Sequence, residues 1–163
     1  MKTNLKNVAI ILIMIGAFMR LIPHPPNFTP ILAIALFAGT KFKDTTYALA
    51  IPALAMLVSD MFIGFHYGMI VIYSMILLTV VISRHSKKLL SAGLVSSLLF
   101  FLASNLQVWL VSGMYEKSPV GLIECYTMAI PFFGMTAAST VVYSYALFLV
   151  FYLLTKTPIY KRV

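Results

Sequence analysis

The stretch "TTYALAIPALAMLVSDMFIGFHYGMIVIYSMILLTVVIS", residues 45–83, contains a single charged side chain, Asp60. A membrane-crossing helix needs about 20 mostly apolar residues, so this run is long enough for two. Its natural break is "GFHYG", Gly64 to Gly68, where two glycines bracket an aromatic and histidine turn. A barrel strand would alternate polar and apolar residues, and this run does not. It reads as two apolar helices joined by a short polar turn.

Similar charge-free runs lie on either side: Asn7 to Met19, Leu89 up to Glu116, and Cys125 to Thr155. Across all 163 residues, 61% are hydrophobic and 10% charged. A soluble domain averages about 45–50% apolar and about 25% charged. With the shorter segment Ile31 to Phe42 added, the pattern predicts six helices, at about 7–22, 31–42, 46–64, 67–83, 89–113 and 132–155. The expected fold is an all-α membrane protein, a six-transmembrane-helix bundle forming one integral domain. Helix 2 is short for a span and is expected to be tilted or partly re-entrant.

The net charge of +8 suggests nucleic acid until its distribution is examined. Lys2, Lys6, Lys41, Lys43, Arg84, Lys87, Lys88, Lys156, Lys161 and Arg162 fall in four alternate segments, leaving Arg20 and Lys117 for the other side. The positive-inside bias then sets the orientation: both termini are cytoplasmic and no nucleic-acid partner is implied. The first segment resembles a signal peptide, but no small-x-small cleavage site precedes Arg20, so an uncleaved helix is expected. A GxxxxGK[ST] nucleotide motif is absent. Cys125 is the single cysteine, so no internal disulfide can form. No repeat, low-complexity segment or linker marks a second domain.

Threading the helices places the polar residues toward the outer side. Asp60 falls in the outer quarter of helix 3, at the same depth as Arg20. A carboxylate costs about 2.5–3.5 kcal/mol at the centre of a span, and less toward the surface. It therefore needs a partner, and Arg20 is the expected one. The pair reads either as a structural tie between helices 1 and 3 or as part of a ligand pocket. "PHPPNFTP", Pro23 to Pro30, is locked by its prolines. It holds His24 and Asn27 either over a cavity or in a plain rigid turn. In "SNLQVW", Asn105 and Gln107 stand two apart and are not expected to share a helical face. Trp109 and Tyr115 suit an aromatic belt. The link from Tyr115 to Phe133 is expected to be an interfacial flap. His24, His66 and Cys125 are the possible ligands for a metal such as cobalt, although neither spacing nor count defines a site. No metal or cofactor is therefore assigned.

"NFTPILAIALFAG" followed by "YALAIPALAMLVSDMFIGFH" resembles the substrate-binding (S) components of energy-coupling-factor vitamin transporters. Ala38, Gly39, Asp60 and Gly64 carry the likeness, over about the first half of the chain. The resemblance implies a non-enzymatic uptake protein of a bacterial cytoplasmic membrane. Such a protein would capture a vitamin-like molecule from outside through Arg20, His24, Asn27, Asp60, His66, Asn105 and Trp109. It also implies an energy-coupling ATPase module as partner. Helix 1, "VAIILIMIGAFMR", lacks small residues four apart for docking it, and the nearest such pair is Ala35 and Gly39 on helix 2. The alternatives are a non-transporting membrane scaffold and an intramembrane enzyme. The latter has neither HExxH nor a serine–base pair to support it.

Overall fold

A computed structural model describes residues 4–163; Lys2, counted above in the N-terminal charge, lies outside the described residues. The chain is all-α, with no strand among the described residues. It comprises α1 (Leu5–Phe18), α2 (Ile31–Lys41), α3 (Thr45–Ile63), α4 (Met69–His85), α5 (Leu89–Val111) and α6 (Pro119–Thr155). A 3₁₀ turn, Met19–Leu21, continues α1 and carries Arg20. Helices α3, α5 and α6 are long and apolar enough to cross a membrane, whereas α2 and α4 are shorter apolar helices.

Polar caps explain the helix starts. Asn4 accepts from Lys6 N at 3.1 Å, and Asp44 accepts from Thr46 N at 2.7 Å. Ser118 accepts from Gly121 N at 3.2 Å, with Pro119 at the first helical position. These side chains satisfy amide donors that the helix itself leaves free.

The short second segment is the centre of the bundle. All eleven residues of α2 are buried, and the helix touches each of the other five. At about 1.5 Å per residue it is about 16 Å long, too short for a hydrocarbon core of about 30 Å. Being apolar on every side, it suits burial in protein. Phe37 packs edge-on against Phe148 and Phe151, with ring centroids 5.1 and 5.5 Å away. Gly39 permits the closest approach: a Cβ there would meet Ser83 Oγ and lie 2.5 Å from Val80 O on α4. The Ala35–Gly39 pair is thus spent on internal packing and offers no docking surface.

The sixth helix corrects the expected boundary. It begins at Pro119 rather than 132 and runs unbroken for 37 residues through Pro131. Gly121, Cys125, Ala129, Thr136, Thr140, Ser144, Phe148 and Phe151 form one buried stripe along it. That spacing of three, four or seven residues keeps one helical face inward. The segment expected to be a flap is the first part of this helix. It lies along α5, with Phe101 stacked near Tyr126 and Phe133 at 5.6 and 5.2 Å. Pro131 removes one backbone donor, a loss that helices in apolar surroundings tolerate.

Candidate functional site

One end of the bundle holds a cleft of about 410 Å³. Helix α5 forms its main wall, with Phe100, Ser104, Gln107, Val108 and Val111 turned into it. Their spacing of three or four is a single helical stripe. Asn105 and Ser112 extend the stripe to an arc of about 160° at about 100° per residue. Asn105 and Gln107 therefore line the same cleft from opposite edges, contrary to the expectation from their spacing. The concave wall is wide enough to take both.

The remaining wall comes from the two polar turns, with Ile72 of α4 and Phe132 of α6. Gln107 Nε2 donates to Tyr67 O at 2.8 Å, fastening the "GFHYG" turn to α5. His66 from that turn lines the cleft. A Cβ at Gly68 would lie 2.9 Å from His66 Nδ1, so the glycine leaves the imidazole its place. The proline-rich loop supplies Asn27, whose φ of +61° is left-handed, a conformation asparagine tolerates better than most residues. Ser139 Oγ donates to Asn27 O at 3.4 Å, and Phe28 packs on Tyr143 of α6 with centroids 5.6 Å apart. The loop is thus held against α6. Beneath the cleft a smaller chamber of about 110 Å³ shares Asn27, Ile72 and Phe100 with it and adds Thr29, Thr136 and Thr140.

Arg20 and Asp60 pair as their matched depths predict, at 2.7 Å, with side chains 9% and 3% exposed. Arg20 also donates to Ser59 Oγ, and Tyr73 donates to the second Asp60 oxygen at 2.8 Å. Both carboxylate oxygens are therefore engaged within the protein. Neither Arg20 nor Asp60 lines the cleft; Ile72, the neighbour of Tyr73, does. Asp60 completes a buried polar tie joining α3 to the Arg20 turn and to α4.

The other expected residues stand apart. His24 is exposed, its Nδ1 donating to Pro25 O at 3.0 Å. Trp109 Nε1 donates to Glu116 O at 2.9 Å, and the Lys117 ammonium lies 5.2 Å from its ring centroid. Both contacts belong to the α5–α6 link. Cys125 is buried and its thiol donates to Asn105 O at 3.5 Å. Among the described residues, no three His, Cys, Asp or Glu side chains gather where they could hold a metal. Of the seven expected residues, the cleft collects Asn27, His66 and Asn105. Sequence reasoning did not assign Gln107, Ser104, Ser112, Phe100 and Phe132 to it, although the α5 stripe was a usable signal.

The bundle defines an apolar, all-helical protein with a largely apolar, carboxylate-free cleft at one end that carries a few amides and hydroxyls. The chain belongs to DUF6580, a family of unknown function, whose model matches residues 1–161. No curated protein and no solved structure matches it.

Proposed function

We propose that this protein is a six-helix integral membrane protein that captures a small, uncharged, vitamin-like ring compound from the outer side of a bacterial cytoplasmic membrane. The cleft carries this reading. At about 410 Å³ it lies near the lower end of the range for small-molecule sites, about 300–1,000 Å³. Amides from Asn27, Asn105 and Gln107 offer donors and acceptors, His66 adds an imidazole edge, and Phe100 and Phe132 supply aromatic surface. No carboxylate or permanent cation lines the cleft, so neutral hydrogen-bonding rings suit it better than charged metabolites. Its size favours one- or two-ring compounds over a corrinoid. Charge asymmetry supports the outward orientation, because the basic segments gather at the other end.

The likeness to vitamin-binding S components agrees with this reading. The burial of Ala35 and Gly39 removes their candidate docking pair, so capture without a shared energising module is the form proposed. The scaffold alternative draws on the closed Arg20–Asp60–Tyr73 network, which has the geometry of a structural tie. Thermal unfolding in detergent against riboflavin, neutral pterins and nucleobases separates the two. A ligand at about 100 times its dissociation constant adds about 2.7 kcal/mol. Stabilisation of the wild type that disappears in folded Asn105→Leu supports capture. Silence across the panel supports the scaffold.

A further inference from the structure

The opposite end of the bundle carries a second cleft, of about 420 Å³, lined in part by Lys43, Arg84, His85, Ser86, Lys87 and Arg162. We propose that this cleft is a binding site for a phosphate-bearing anion. The proposal does not depend on the nature of any ligand at the first cleft.

Three separate pieces of chain bring the cations together: the α2–α3 link, the end of α4 with its following link, and the C-terminal tail. No carboxylate lines the cleft. Asp44 is the nearest in sequence, and its Oδ1 caps α3 by accepting from Thr46 N and Tyr47 N at 2.7 and 3.3 Å. Main-chain carbonyls position the guanidinium groups instead. Arg84 donates to Phe42 O at 2.8 Å and Lys43 O at 2.9 Å, while Arg162 donates to Arg84 O at 2.7 Å. A guanidinium has five N–H donors, so both retain several. His85 Nδ1 donates to Val81 O at 2.9 Å, so the imidazole is held by its own helix. The Lys43 and Lys87 ammonium groups have no protein acceptor among the described residues.

Helix dipoles do not account for this concentration of charge. The C-termini of α2 and α4 lie here, and each carries about half a negative charge. Lys43, Arg84, Lys87 and Arg162 exceed that by about three positive charges, and by about two once Asp44, whose charge acts on Arg84, is counted. Phosphate supplies the missing complement: several acceptor oxygens, negative charge and a shape that guanidinium groups recognise. A free phosphate and the headgroup of an anionic lipid share that chemistry. Basic pockets between helices on the cytoplasmic side are a known setting for the lipid. An occupant would tie the tail, through Arg162, to both links.

The test titrates phosphatidylglycerol, phosphatidylcholine and inorganic phosphate separately into the full chain in non-ionic detergent and follows the melting temperature. Lys43→Gln/Lys87→Gln is compared with Lys88→Gln/Lys161→Gln, which removes the same charge outside the cleft. Phosphatidylglycerol or phosphate should bind at least tenfold more weakly to the first variant and less than twofold more weakly to the second. Binding of inorganic phosphate assigns a soluble ligand; binding of phosphatidylglycerol alone assigns a lipid headgroup. Equal weakening by both variants, or no preference over phosphatidylcholine, overturns the proposal.

Discussion

The two clefts are nearly equal in volume, about 410 and about 420 Å³, yet opposite in lining. One presents amides, hydroxyls, an imidazole and aromatic rings; the other presents four permanent cations. They are also braced differently. The end with the uncharged cleft is braced by a buried ion pair, Arg20–Asp60, with Tyr73 and Ser59 satisfying what remains. At the basic end, cations are fastened to main-chain carbonyls. The fully buried Lys41 donates to Pro158 O at 2.8 Å and sits 4.4 Å from the Phe151 ring centroid. Val163 N donates to Lys41 O at 2.7 Å, closing the tail over the bundle. With only four acidic residues in the chain, cations here must find backbone partners or ligands. Charge arrangement, rather than cavity size, distinguishes the two ends.

The strongest way to break this comparison is Asp60→Ala. Leaving Arg20 buried and unpaired should cost about 3–5 kcal/mol, read as a lowered unfolding midpoint in detergent. Replacing both partners, as in Arg20→Met with Asp60→Leu, should cost much less. An undamaged Asp60→Ala protein would remove the ion pair as the anchor of its end.

Gly39→Ala comes next, because its methyl group would meet Ser83 and the Val80 carbonyl. Overpacking of this kind costs about 1–3 kcal/mol, and it should weaken the bundle without changing the chemistry of either cleft. Gln107→Leu should cost no more than about 1 kcal/mol, because the bond it removes to Tyr67 O is exposed and water can replace it. Its larger consequence is for function: whatever ring compound stabilises the wild type should stabilise this variant less. The smallest effect belongs to the unliganded Lys43→Gln/Lys87→Gln variant. Both side chains are exposed, so its midpoint should move by no more than about 0.5 kcal/mol.

Much of the fold was legible because helices announce themselves through apolar runs and caps. The "GFHYG" break and the pairing of Asp60 with Arg20 both followed from placing polar residues along those runs. The central position of helix α2 was not legible for a definite reason. Length alone cannot tell a short span from a core helix, and only its lack of a polar face pointed inward. Helix α6 was cut short because the semi-apolar link from Tyr115 to Phe133 reads as an interfacial flap. The Ser118–Pro119 start and the stripe from Gly121 through Cys125 and Ala129 make it helix instead. At the cleft, the rule about residues two apart concealed Gln107. A concave site samples a wider arc of helix than a flat contact does. The basic cleft was beyond sequence reading, since its tail cation and its link cations meet only in the folded chain.

The most direct test places one thiol at each end in a Cys125→Ser background: Ser112→Cys in the uncharged cleft and Lys87→Cys in the basic one. Intact cells expressing each variant are treated with a membrane-impermeant maleimide. Labelling of Ser112→Cys, with Lys87→Cys labelled only after the cells are opened, is the predicted result. Labelling of Lys87→Cys from outside, with Ser112→Cys protected until lysis, would contradict it.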